Sequence, residues 1–200
     1  MIKQIVLASG NKGKLREFSQ VLGQWHVEVL PKSDFNVSDA DETGLSFVEN
    51  SILKARHAAR ITGLPALADD SGLEVDALNG APGIYSARFS GEGATDEKNN
   101  ARLLAELADV PEAQRTARFR CVLAFMRHAE DPTPLICQGA WEGVILSESC
   151  GENGFGYDPL FLIPELGKAS AQLAPEQKNK LSHLGQAVQE LIAKIEPYLK

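Results

Sequence analysis

The sequence predicts an α/β fold. The first sixty or so residues alternate in the order strand, helix, strand, helix, and two long β-rich runs follow in the second half. A third observation supports this: a hydrophobic content of 44% in a 200-residue chain supplies the core of one domain, or of two closely joined lobes without a separable linker.

Ile2 to Ala8 is an Ile/Val/Leu run ended by Gly10, and apolar residues at Leu15, Phe18 and Leu22 then recur at helical spacing. This is strand, glycine turn, amphipathic helix. Val27 to Leu30 reads as a second strand stopped by Pro31, and Ser46 to Ile61 as a second helix ending near Gly63. Leu64 to Ala68 is a short apolar strand that the spacing ends in a polar turn, Asp69-Asp70-Ser71-Gly72. A glycine-rich segment from Asn79 to Gly93 precedes a helix over Thr95 to Leu107, with Thr95 as its N-cap and a structural role. Thr116 to Met126 and Leu135 to Leu146 form a hairpin of two long strands around Glu130 to Pro134, which suggests an elongated sheet. Gly151 to Pro159 is a second glycine-rich stretch, Leu160 to Ile163 a short strand, and Ser182 to Leu199 a terminal helix.

Charge and cysteine usage narrow the function classes. Twenty Lys and Arg against 27 Asp and Glu give a net charge of -7, which argues against a protein that coats a nucleic-acid backbone. Cys121, Cys137 and Cys150 have no CxxC spacing, so they read as reduced thiols rather than a disulfide framework or zinc site. The apolar run at the N-terminus is too short for a signal-peptide core or a membrane span, so the expected compartment is the cytoplasm.

Three segments carry chemistry. Ser9-Gly10-Asn11-Lys12-Gly13-Lys14 gathers backbone N–H groups at a helix start, a hydroxyl and two ammonium groups, which suits an oligophosphate, although neither GxxxxGK[ST] nor GxGxxG is present. A plain turn with solvated lysines is the alternative. The Asp69-Asp70 pair, with Asp39, Asp41 and Glu42 in an earlier loop, offers hard oxygen donors for Mg²⁺. Surface turns rich in Asp are equally compatible with that composition. Gly154-Phe155-Gly156-Tyr157-Asp158-Pro159 combines permissive backbone with aromatic faces and a carboxylate able to meet a base edge, or else plugs a core. Lys54, Lys178 and His183 gain meaning only beside these segments.

Those segments, with Gly80-Ala81-Pro82-Gly83-Ile84-Tyr85-Ser86-Ala87-Arg88 and Ser182-His183, stand in one order and spacing that resembles the inosine triphosphate pyrophosphatase family, in its bacterial non-canonical purine NTP pyrophosphatase branch. The resemblance spans nearly the whole chain. It implies an elongated two-lobed α/β fold with a long mixed central sheet flanked by helices and a nucleotide cleft between the lobes. It also implies a cytoplasmic homodimer and Mg²⁺-dependent hydrolysis of ITP, dITP and XTP to the monophosphate and pyrophosphate, which cleanses the nucleotide pool. No membrane or stable nucleic-acid partner is expected.

Carried onto matching positions, Ser9, Gly10, Asn11, Lys12, Gly13, Lys14 and Lys54 would hold phosphates, and Asp70 would be the catalytic acid/base and a metal partner. Asp41 or Glu42 would be the second metal carboxylate, with Asp41 preferred. Ser71 would touch the substrate, Phe155 would stack on the purine, and Gly156, Tyr157, Asp158, Lys178 and His183 would line the nucleoside pocket. The family pattern Ser-His-Arg-Gly reads Ser182-His183-Leu184-Gly185 here, so Leu184 brings no guanidinium to the base. The expectation is that backbone N–H groups preserve selection of a 6-oxo purine.

Overall fold

The computed structural model describes residues 1–200. The chain opens with β1 (Gln4–Leu7), α1 (Lys12–Gly23), β2 (Glu28–Pro31), α2 (Phe47–Thr62) and β3 (Ala66–Val75). α3 (Asp96–Glu106), β4 (Thr116–Met126), β5 (Leu135–Ile145), β6 (Phe161–Ile163), β7 (Lys168–Ala169), α4 (Pro175–Leu181) and α5 (His183–Lys194) follow. The seven strands form one sheet in the order β2-β1-β3-β4-β5-β6-β7. It is mixed: β1 pairs in parallel with β2 and β3, whereas β6 pairs antiparallel with β5 and β7.

The chain leaves β1 for β2 on one side and reaches β3 on the other, so right-handed crossovers put α1 and α2 on opposite faces. Strand order therefore reverses between β1 and β3, a position where α/β sheets take ligands at the carboxyl ends of strands. The turn after β1, Ala8 to Asn11, lies there.

Local chemistry fixes the flanking helices. Asn11 Oδ1 caps α1 by accepting from the N–H groups of Gly13 and Lys14, and Phe18 and Leu22, one turn apart, are fully buried. Ser46 and Glu49 form a capping box at the start of α2: the Glu49 N–H donates to Ser46 Oγ, and Glu49 Oε2 accepts from Ser46 Oγ and the Leu45 N–H. Ala58 and Ala59 on α2 are small enough to pack closely on Val6 and Ala66 of the sheet. Gly63, at φ 68°, ends the helix in the left-handed region.

Two compact units result, each assembled from non-contiguous stretches. The first comprises Met1–Asp70, Cys121–Gln138 and Ala187–Lys200; the second comprises Ser71–Arg120 and Gly139–Gln186. Ile5, Leu7, Phe18, Leu67, Leu123 and Phe125 are fully buried in the first. In the second, Phe161 lies between Phe119 and Trp141 at ring distances of 4.5 and 5.6 Å, over Leu73, Leu103 and Leu160. Burying each such side chain stabilises by about 1.5–3 kcal/mol before chain entropy is set against it.

Two boundaries differ from expectation. The predicted turn at Asp69 to Gly72 is strand: β3 runs on to Val75, because both carboxylates acquire buried ammonium partners and need no solvent. The terminal helix, expected over Ser182 to Leu199, stops at Lys194, and a 3₁₀ turn over Glu196–Tyr198 follows. Pro197 has no N–H for a helical bond and disfavours helical backbone in the residue before it. No helix is long and apolar enough to cross a membrane, and all three cysteines are free thiols.

Candidate active site

In the first unit, helix and strand bring cations to consecutive carboxylates. Lys14, on the first turn of α1, reaches Asp69 at 2.5 Å, and Lys54, on α2, reaches Asp70 Oδ1 at 2.8 Å. Asp69 and Asp70 are 7% and 8% exposed, so these are buried ion pairs rather than surface decoration. Lys54 Nζ also lies 3.2 Å from Glu42 Oε1, so two carboxylates converge on one ammonium. Asn50 Nδ2 donates to Asp70 Oδ2 at 3.3 Å.

The electrostatics follow from this crowding. Burial pushes Asp70 above its ordinary value and the Glu42 carboxylate adds to the shift, against the pull of Lys54 and Asn50. Burial opposes the charge on Lys54, but Asp70, Glu42 and Asp69 outweigh it and hold its pKa above the usual lysine value. Lys14 behaves likewise: burial is overcome chiefly by Asp69. Asp70 is thereby a carboxylate with raised proton affinity beside fixed positive charge, the condition of a general base.

The oxygen donors fit a hard divalent cation. Asp70 and Glu42 already reach a single positive centre, and a magnesium site of one or two carboxylates completed by substrate phosphates and water needs no more from the protein. Asp41, the residue preferred from the sequence, is exposed, whereas Glu42 is half-buried. Successive residues of an extended loop point in different directions, and it is Glu42 that faces Lys54.

The phosphate-loop residues are close together after β1. Gly10, Asn11, Lys12 and Gly13 are exposed and Ser9 is half-buried. The Asn11 side chain takes the Gly13 and Lys14 N–H groups, and Lys14 is turned inward to Asp69. Lys12 is the loop's outward-facing cation.

The second unit contains a cavity of about 170 Å³. Ser71, Phe155, Gly156, Tyr157, Asp158, Lys178 and His183 line it, all of them sequence candidates. Asp158 is 3% exposed; its Oδ1 accepts from Ser170 Oγ at 2.8 Å, and its Oδ2 from the Phe155 N–H at 2.9 Å and from Lys178 Nζ. Gly154 is required here: at φ 83°, a Cβ would lie 2.2 Å from Asp158 Oδ2. Phe155 is 71% exposed with the Lys178 ammonium 4.9 Å from its ring centroid, so one aromatic face stands at a cavity rim. His183 stacks on Phe119 at 4.9 Å. Leu184 is half-buried and does not line the cavity.

Sequence reasoning missed several participants. Ser86, Asp96 and Asn99 also line the cavity. Tyr157 Oη donates to the Ser86 carbonyl at 2.7 Å, and burial pushes the Tyr157 phenol above its ordinary value, which keeps it a donor. Asp96, on the first turn of the helix read as structural, accepts from the Gly156 N–H at 2.6 Å, and Asn100 Nδ2 donates to the Gly156 carbonyl at 2.8 Å. The Gly80 to Arg88 segment was the one signal for Ser86. Nothing local marked Asn50 or Asp96.

Comparison with known proteins identifies the family. The Ham1 family matches residues 5–194. A dITP/XTP pyrophosphatase of Vibrio parahaemolyticus is 60% identical over 194 residues, 97% of each chain. One from Escherichia coli (strain K12) is 56% identical over 191 residues, 96% of this chain and 97% of that one. Among solved structures, a HAM1 protein from Coxiella burnetii matches with a TM-score of 0.93 at 49% identity, covering 96% of this chain and 98% of that one. The Staphylococcus aureus Ham1 protein gives 0.90 at 43% identity, covering 98% and 100%. With residues 5–194 matched by the family and 97% of the chain aligned to a relative at 60% identity, this chain belongs to the Ham1 family.

Proposed function

We propose that this protein hydrolyses non-canonical purine nucleoside triphosphates, dITP, ITP and XTP, to the monophosphate and pyrophosphate, and so clears them from the nucleotide pool. The observation that carries this reading is the 60% identity, over 97% of both chains, to a protein named dITP/XTP pyrophosphatase. The buried Lys14–Asp69 and Lys54–Asp70 pairs support the chemistry, and the aromatic-rimmed cavity of the second unit supports the base.

Magnesium, held by Asp70 and Glu42, would neutralise phosphate charge and acidify a bound water. Asp70 would accept a proton from the attacking water, its raised proton affinity matching that task. The water oxygen bonds to the α-phosphorus as the bond to the bridging β-phosphate oxygen breaks, and pyrophosphate leaves. Lys14 and Lys54, already anchored, would stabilise charge on the separating phosphates, with Lys12 and the Ser9 to Gly13 backbone as further donors. Ser71, Phe155, Tyr157, Lys178 and His183 would meet the nucleoside. Donors facing a 6-oxo group would be left unpaired by a 6-amino group, which is how adenine nucleotides are rejected. Leu184 lies off the cavity lining, consistent with selectivity surviving the loss of an arginine there. The free thiols suit a reducing cytoplasm, and the homodimer is the family's expectation, read out by light scattering.

The test is incubation with Mg²⁺ and, separately, ITP, XTP, dITP, ATP, GTP and dTTP, with and without EDTA, quantifying pyrophosphate, orthophosphate and monophosphate. EDTA-sensitive pyrophosphate release favouring ITP, dITP and XTP is expected. Orthophosphate release would place cleavage at the γ-phosphate and overturn the mechanism. Tight ITP binding without product would make the protein a sensing module, and equal turnover of dTTP a broader pyrophosphatase.

A further inference from the structure

We infer that Asn50 is a positioning residue that locks the acidic loop, residues 36–46, onto Asp70; this rests on the proposed pyrophosphatase chemistry only in its activity readout. Asn50 is fully buried within α2, where an amide side chain is costly unless both its ends are bonded. Both are. Nδ2 donates to Asp70 Oδ2 at 3.3 Å, and Oδ1 accepts the backbone N–H of Gly44 at 2.9 Å. A single side chain thus spans from the loop that carries Glu42 to the carboxylate that Glu42 faces across Lys54.

The loop is shaped to receive it. A Cβ on Gly44 would lie 2.7 Å from Asn50 Oδ1 and 2.5 Å from Glu49 Cβ, so only glycine lets the backbone come this close. The same half of the loop is held by the Leu45 N–H on Glu49 Oε2, and the other half by Ser38 Oγ, 3.0 Å from His57 Nε2, and by Lys32 on Asp39. Of these, only Asn50 touches Asp70; it ties Asp70 to the loop backbone, beside Lys54, which joins Asp70 to the Glu42 side chain. The seat of Asn50 is itself fixed by its neighbour: Ser51 Oγ donates to the Val122 carbonyl at 2.9 Å, fastening α2 to β4. Asn50 therefore sets the spacing of Glu42, Lys54 and Asp70 without contacting substrate.

Three variants separate the two halves of this role, read by amide hydrogen exchange of residues 40–46 in the nucleotide-free protein and by kcat and KM for ITP with Mg²⁺. Asn50→Ala is expected to raise exchange in that segment at least tenfold and lower kcat at least tenfold, with KM within about threefold. Asn50→Asp keeps an acceptor for Gly44 but replaces the donor to Asp70 with a second carboxyl, so exchange stays nearer the parent value than in Asn50→Ala while kcat still falls about tenfold. Gly44→Ala leaves Asn50 intact and is expected to loosen the segment by crowding it, which keeps the inference testable if Asn50→Ala does not fold. Unchanged segment exchange in Asn50→Ala or Gly44→Ala, or exchange raised evenly over the whole chain, would overturn the inference, as would kcat within twofold of the parent in Asn50→Asp. If the parent releases no pyrophosphate from ITP, the proposed substrate fails while the exchange measurement still decides the role of Asn50.

Discussion

Asp70 in the first unit and Asp158 in the second are both buried carboxylates paired with a lysine, yet their surroundings differ. Asp158 takes three donors, Ser170 Oγ, the Phe155 N–H and Lys178 Nζ, and no second acid faces it across its lysine. Asp70 has Lys54 and a longer bond from Asn50, and it shares Lys54 with Glu42. The first arrangement satisfies a charge and fixes a loop; in the second, burial raises the affinity of the carboxylate for a proton and the Glu42 charge adds to it. A buried carboxylate alone is thus no mark of catalysis. What sets Asp70 apart is burial with fewer donors and a second carboxylate across the same lysine.

The sharpest way to break that contrast is Asp70→Asn. The amide is isosteric and Lys54 keeps Glu42 as a partner, so the thermal midpoint should stay within a few degrees while pyrophosphate release falls about 10²- to 10⁴-fold, the range of a lost general base. Near-normal turnover in the folded variant would remove Asp70 from the chemistry.

Asp158→Ala tests the other side. Stripping three donors of their buried partner should cost about 3 kcal/mol of stability, the lower range for breaking a buried pair, seen as a lowered urea midpoint. An unchanged midpoint would show that Asp158 is not the anchor its bonds imply.

The smallest effect lies at the surface of the second unit. Hydrogen bonds from Arg118 and Thr116 hold the Asp76 carboxyl down at about 2. Its folded value lies below the unfolded one of about 3.9. Its contribution is therefore present above that pH and lost as pH falls toward 2. Asp76→Asn should flatten this part of the stability curve, measured by denaturant unfolding at stepped pH. A curve of the same slope would mean that solvent screening cancels the pairing.

The sequence revealed some levels of this organisation and hid others. The β1-α1-β2-α2 order was legible because it rests on periodicity: Phe18 and Leu22 declare a buried helical stripe without reference to the rest of the chain. The polar run Asp69 to Gly72 was misread as a turn because its strand character depends on Lys14 and Lys54, 55 and 16 residues away. Composition does not reveal which of Asp41 and Glu42 the loop turns toward Lys54; in the fold it is Glu42. Asn50 and Asp96 carry no local signature at all: an asparagine inside a helix and an acid in a first turn are ordinary until their partners, Gly44, Asp70 and Gly156, are placed in space.

A strand sends consecutive side chains to opposite faces, and β3 thereby sends Asp69 to Lys14 on α1 and Asp70 to Lys54 on α2. Two identical neighbours are for this reason not spare copies of one another. If Asp70 is lost, Asp69 cannot stand in, because it points to the opposite face of the sheet, toward Lys14. The doubled acid is a fork in the chain rather than a backup, each prong committed to the partner on its own side.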